Sequence, residues 1–235
     1  MLIIEKNAVY EVDCECLQKK RGRYANLTCE ERQIEKEQII VPTGGVCKES
    51  LSYTGKGVTV AILDTGLYPH PDFKDRIVGW YDAIGHEAYP VDPNGHGTHV
   101  AGIIAGDGTL SGGHIQGIAP QAFIVSVRVL DAHGKGRLSA MLEGIRWLKE
   151  NGKRLGIQIV NISVGSVKKQ KENSQLVQAV ESLWDSGLVI CSAAGNEGMQ
   201  QHNITSPGIS RKIITVGSCD DKEMIDEGGR FYHNY

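Results

Sequence analysis

Five near-continuous apolar runs constrain this chain more than any other feature. They are Val58–Leu63, Ala122–Leu130, Ile157–Val164, Gly187–Ala194 and Ile213–Val216. A strand with one solvated face alternates apolar and polar residues, whereas a strand covered on both faces reads as an unbroken apolar run. Stretches with helical spacing lie between the runs. Thr98–Ala105 is one. Leu138–Asn151 carries Leu138, Met141, Leu142, Ile145 and Leu148 on one face and stops at Asn151-Gly152. Asn173–Trp184 carries Leu176, Val177, Val180 and Leu183 in the same way. Buried strands alternating with helices predict an α/β fold, a parallel sheet with helices on both faces.

Such sheets place functional residues just beyond the carboxyl ends of their strands. Three ends stand out: Asp64-Thr65-Gly66, Ser163-Val164-Gly165 and Ala193-Ala194-Gly195-Asn196. All are small or polar and leave backbone open to a ligand. The 29 glycines in 235 residues, well above the average of roughly 7%, fit a fold of tight turns and close backbone approaches.

The wider composition excludes several classes. Apolar residues at 40% and charged residues at 23% describe a globular chain rather than a disordered one. A net charge of -3 offers no basic excess for nucleic acid. No run approaches the roughly 18 apolar residues of a membrane span, and Met1-Leu2-Ile3-Ile4 is too short for a secretory core. Of six cysteines, Cys14, Cys16, Cys29 and Cys47 lie near the start, with Cys191 and Cys219 far downstream. Their spacing matches no common zinc pattern, so reduced thiols in the cytoplasm are expected. Residues 1–50 are charge-rich, with Lys19-Lys20-Arg21 and Glu30-Glu31-Arg32, and Glu30–Gln38 is a short helix candidate. We read them as an N-terminal extension to a domain over 51–235.

Two side chains suggest chemistry. Asp64 at a strand end can orient an imidazole, although a plain turn aspartate would look the same. His96 lies in Asn94-Gly95-His96-Gly97-Thr98-His99-Val100-Ala101-Gly102. Flanking glycines permit close approach, and a helix N-terminus disfavours the imidazolium and keeps a base available.

With Val-Ala-Ile-Leu-Asp64-Thr-Gly, Asn-Gly-His96-Gly-Thr-His-Val-Ala-Gly and Ala-Ala-Gly-Asn196-Glu-Gly in this order, the chain resembles the subtilisin-like serine proteases. Gly117-Ile118-Ala119-Pro120 and Asn161-Ile162-Ser163-Val164-Gly165 fit between them. The match runs from about Tyr53 to Ser218. Tyr-Thr-Gly-Lys-Gly before the Asp64 strand and Gly-Ile-Arg-Trp-Leu in the long helix are most similar to cytoplasmic alkaline bacterial members. The resemblance implies that Asp64 orients His96, that His96 acts as general base and then acid, and that Asn196 donates to an oxyanion. It implies that Gly134, Lys135 and Gly136 and Ser163, Val164 and Gly165 flank a peptide or protein substrate. Ala193, Ala194 and Gly195 would wall the pocket for the residue before the scissile bond.

No metal or other cofactor is expected. His96 and His99 lack the glutamate of a zinc-protease helix. Asp72 stands where many subtilases have a calcium ligand, but the partner segment Asp107–Gln116 does not match the usual calcium loop. Thr54-Gly55-Lys56-Gly57 precedes its strand, the wrong side for a phosphate loop. The family's nucleophile lies in Gly-Thr-Ser-Met-Ala, and no Gly-Thr-Ser occurs here. Ser163 is expected in a substrate strand and Ser192 in a buried one. The expectation is a truncated serine endopeptidase that is inactive alone. The alternatives are a peptide-binding remnant without catalysis and a metal-dependent hydrolase using Asp64, His96 and His99.

Overall fold

The computed structural model describes residues 53–166, 174–196 and 204–217, and the short strands Ile3–Glu5, Ala8–Tyr10, Met224–Ile225 and Phe231–Tyr232. Two compact units divide the chain, one of residues 53–216 and one combining 1–52 with 217–235. In the latter, Ile3–Glu5 pairs antiparallel with Ala8–Tyr10, and Met224–Ile225 pairs antiparallel with Phe231–Tyr232. The helix expected at Glu30–Gln38 and the cysteines Cys14, Cys16, Cys29, Cys47 and Cys219 lie outside the described residues.

The larger unit holds a six-stranded sheet. Its strands are β1 (Thr59–Asp64), β2 (Ile77–Asp82), β3 (Phe123–Arg128), β4 (Ile157–Ile162), β5 (Val189–Ala193) and β6 (Ile214–Val216). Their spatial order is β2-β3-β1-β4-β5-β6, and every pairing is parallel. Among the described residues the unit has three α-helices: α1 (His96–Ala105), α2 (Leu138–Asn151) and α3 (Gln175–Asp185). All five expected strands and all three expected helices are present, with every end within two residues of its expected position.

Side chains along β1 alternate between two cores. Ala61 and Leu63 join the side chains of α2 and α3, among them Ile145, Leu148, Val180 and Leu183. Val60 and Ile62 join Val100, Ala101 and Ala105 of α1. All six residues of β1 are buried, which explains its unbroken apolar sequence. The one strand of this sheet not anticipated is β2. It lies at the sheet edge, mostly half-buried, with a register break between Ile77 and Gly79. One-sided burial and the glycine erase the apolar run that marks the other strands.

No helix among the described residues is long and apolar enough to cross a membrane. Leu148→Ala, in the fully buried face of α2, should cost about 2–5 kcal/mol of stability in denaturant unfolding. Leu110→Ala, at a side chain 67% exposed, should change it by no more than about 0.5 kcal/mol.

Candidate active site

Period-two alternation sends the Asp64 side chain to the same face of β1 as Val60 and Ile62, the face that α1 covers. His96 is the first residue of α1. The two meet there, with Asp64 Oδ1 2.7 Å from His96 Nδ1. Asp64 Oδ1 also accepts the Thr65 N–H at 2.7 Å. The Asp64 side chain is 1% exposed and that of His96 is 25% exposed. A carboxylate can only accept, so Nδ1 carries the proton and Nε2 is left free to take one.

The segments around this pair are locked together. Thr65 Oγ1 accepts the Gly97 N–H at 2.9 Å and donates to Asp92 Oδ1 at 2.8 Å. Asp92 also accepts the N–H groups of Gly95 and Thr98, each at 2.8 Å. Asp92 thus caps the first turn of α1, since the residue at the cap position, Gly95 (φ 92°), has no side chain to do so. Glycine at 97 is required by contact: a Cβ there would lie 2.2 Å from the Gly66 carbonyl and 3.1 Å from Asp64 Cβ. Thr65 enters the sequence analysis only as part of the strand end Asp64-Thr65-Gly66, with no role of its own. Asp92 is not singled out there, although a carboxylate shortly before an Asn-Gly helix start is a signal for it.

On the same face, Asp82 and Asp64 both lie in register with Arg128. Arg128 Nη1 donates to Asp82 Oδ2 at 3.0 Å, and both side chains are buried. The N–H groups of Ile84, Gly85 and Glu87 complete the Asp82 shell. Burial opposes Asp82 ionisation, but these donors and Arg128 outweigh it and lower its pKa.

The His96 pKa is raised, which corrects the expectation from the helix N-terminus. The hydrogen bond to Asp64 is the largest cause. Desolvation opposes it, and the charges of Asp64 and Asp92 add to it. A helix terminus contributes about 0.3–1 kcal/mol, less than a hydrogen bond to a charged group at about 1.5–3 kcal/mol.

The other residues singled out in the sequence lie at or beyond the carboxyl ends of the strands. Asp131 Oδ1 accepts the N–H groups of His133 and Lys135, and the Asp131 N–H donates to the Lys135 carbonyl. Lys135 therefore sits in a closed turn, with Gly134 inside it and Gly136 following it. Asn94 joins this turn to the His96 segment by donating to the Ala132 carbonyl at 3.0 Å. Ser163, Val164 and Gly165 follow β4, and Ser163 Oγ accepts from Asn161 Nδ2 at 2.7 Å. Ala193 closes β5, Ala194 and Gly195 follow, and Asn196 is exposed. Thr205 is an addition that the sequence did not signal. Its N–H donates to the Ala194 carbonyl at 2.8 Å. A Cβ on Gly165 or Gly195 would lie 2.4 or 2.3 Å from Thr205 Oγ1, so this side chain occupies the space that both glycines leave.

His99 is exposed on α1. No group of three or more His, Cys, Asp or Glu side chains able to hold a metal ion occurs among the described residues. Asp72 Oδ1 accepts the Leu110 N–H at 2.9 Å.

The sequence of residues 55–232 matches the family model described as "Subtilase family". This chain is a subtilase. It is 44% identical to "Serine protease AprX" of Bacillus subtilis (strain 168) over 75% of its length and 41% of that protein's. It is 35% identical to "Subtilisin DY" of Bacillus licheniformis over 74% of its length and 61% of that protein's. A crystal structure of "a cold adapted subtilisin-like serine proteinase" superposes with a TM-score of 0.62 at 35% identity, covering 73% of this chain and 58% of that one. The chain thus spans roughly half the length of these relatives. Subtilase membership makes it a relative of hydrolases that act on peptides and proteins, with the α/β sheet architecture described above.

In this subtilase the raised His96 pKa has a stability consequence of definite sign. It stabilises the fold fully below the unfolded value near 6.5, and that contribution is lost as pH rises through the folded value. Imidazole NMR titration should place His96 above 6.5. Asp64→Asn, which removes the acceptor charge but keeps the burial, should move it below 6.5. Equal midpoints in the two proteins would refute the assignment of Asp64 as the cause.

Proposed function

We propose that residues 1–235 supply the acid–base half of a serine endopeptidase site. One observation carries this reading: the 2.7 Å contact from Asp64 Oδ1 to His96 Nδ1. It fixes the tautomer and leaves Nε2 to remove a proton from a hydroxyl nucleophile. Asp64 then holds the imidazolium that forms, and Nε2 returns the proton to the leaving amine. Asn196, exposed beyond β5, is assigned to the oxyanion. In subtilisin an asparagine in this role is worth about 10²–10³ in kcat.

An extended peptide is assigned to the space between Gly134–Lys135–Gly136 and Ser163–Val164–Gly165, adding as a strand through their backbone groups. Ala193, Ala194 and Gly195 wall the pocket for the residue before the scissile bond. The nucleophile is assigned to a Gly-Thr-Ser-Met-Ala segment outside residues 1–235, since no Gly-Thr-Ser occurs in them. On their own they hydrolyse no peptide. Residues 1–50 are read as a charged extension outside the catalytic domain. A cytoplasmic setting is in keeping with Cys191 as a free thiol.

A fluorophosphonate probe should label no serine within residues 1–235. Fused to the serine-bearing C-terminal segment of a curated relative, the chain should hydrolyse peptides. His96→Ala should then lower kcat by about 10⁴-fold or more. A folded fusion that binds peptides but never cleaves them would replace this reading with that of a peptide-binding remnant.

A further inference from the structure

The turn Pro71–Arg76 and the segment after α1 meet across two carboxylates. The Asp107 N–H donates to the Asp72 carbonyl at 3.1 Å, and the Leu110 N–H to Asp72 Oδ1 at 2.9 Å. Asp107 Oδ1 accepts the Thr109 N–H at 2.9 Å and the Thr109 hydroxyl at 2.6 Å. This is the junction at which the resemblance to subtilases raised the question of calcium.

Both carboxylate oxygens of Asp107 are already engaged. Calcium takes six to eight oxygen ligands at roughly 2.3–2.6 Å. Here Asp107 Oδ2 lies 2.9 Å from Lys74 Nζ and 3.9 Å from Arg76 Nη2. Arg76 Nη2 also donates to the Asp72 carbonyl, and its Nη1 donates to the Ala122 carbonyl at 2.9 Å. A divalent cation would have to displace an ammonium and sit beside a guanidinium that is only 12% exposed. Lys74 holds this position at φ 46° and ψ -128°, a conformation that glycine adopts without strain and lysine does not.

We propose that Lys74 and Arg76 are the built-in cation of this junction, so that the two segments close on each other without calcium. Lys74 neutralises Asp107 from solvent. Arg76, more deeply placed, ties both segments to the end of the loop that enters β3. Calcium does not fit the donor set as it stands, because every carboxylate oxygen of Asp107 is taken. Although burial alone would raise the Asp107 pKa, the hydrogen bonds from Thr109 and Lys74 outweigh it and pull the value down to about 2.

The Thr109 and Leu110 amides rest on the two carboxylates and report on the site directly. In the 235-residue protein, their NMR signals should not move as calcium is raised to about 10 mM, above the 10⁻⁴–10⁻³ M affinities of weak calcium modules. A saturable shift of either amide overturns the proposal. Lys74→Met should speed hydrogen exchange at these two amides by roughly two- to fivefold, the range for a partly exposed ion pair. Lys56→Met, at an exposed lysine with no ion pair among the described residues, should leave them unchanged. Equal exchange in the two variants means that Lys74 holds nothing, and the proposal fails.

Discussion

The hydrogen bond between Asp64 and His96 exists only because β1 is buried on both faces. A strand that presented one face to water would end at a solvated turn, and a carboxylate there would be free to rotate. Here Ala61 and Leu63 are clamped from one side, and Val60 and Ile62 from the other. The last residue of the strand has no choice of direction. Its side chain emerges where α1 begins, and a glycine at 97 lets that helix approach within contact of Asp64 Cβ. The hydrophobic packing of the sheet is therefore what sets the position of the acid.

Burying Asp64 has an energetic cost that the site itself must offset. An ionised carboxylate removed from water without partners costs several kcal/mol, and one left behind when its partner is deleted costs about 3–5 kcal/mol. Asp64 Oδ1 receives the Thr65 N–H and faces His96 Nδ1, whereas Oδ2 is buried with no hydrogen bond to a described residue. A half-satisfied carboxylate attracts a proton donor strongly, which is the origin of the raised His96 pKa. The Thr65–Asp92–Thr98 network makes no hydrogen bond to the imidazole ring among the described residues. It fixes the first turn of α1 against the end of β1, so that the ring cannot swing away from this attraction.

Much of this was legible in the sequence because double-sided burial leaves a strong mark. The apolar runs located five of the six strands of the large sheet, and the family motifs singled out Asp64 and His96, which the fold brings together. What remained hidden follows a physical pattern. The edge strand β2 is half-solvated and broken at Gly79, so its periodicity is that of no regular element. Thr65 and Thr205 act through partners that lie 11 to 32 residues away, and no local spacing encodes such contacts. The sign of the His96 shift was missed for a related reason. The helix terminus is visible in a sequence, whereas a 2.7 Å approach of a buried carboxylate is not.

The row of charges across the sheet shows how the carboxylate is kept for the imidazole. Arg128 lies between two aspartates in register, Asp82 on β2 and Asp64 on β1. An arginine bound to Asp64 would hold that charge in a charge-assisted pair and weaken its pull on His96. The guanidinium instead turns to Asp82, whose shell of three backbone donors keeps it ionised and ready to pair. Asp82 thereby occupies the one cation nearest in register to Asp64. The edge strand that the sequence concealed thus bears on the surroundings of Asp64. By engaging Arg128, it leaves Asp64 with His96 as its side-chain partner.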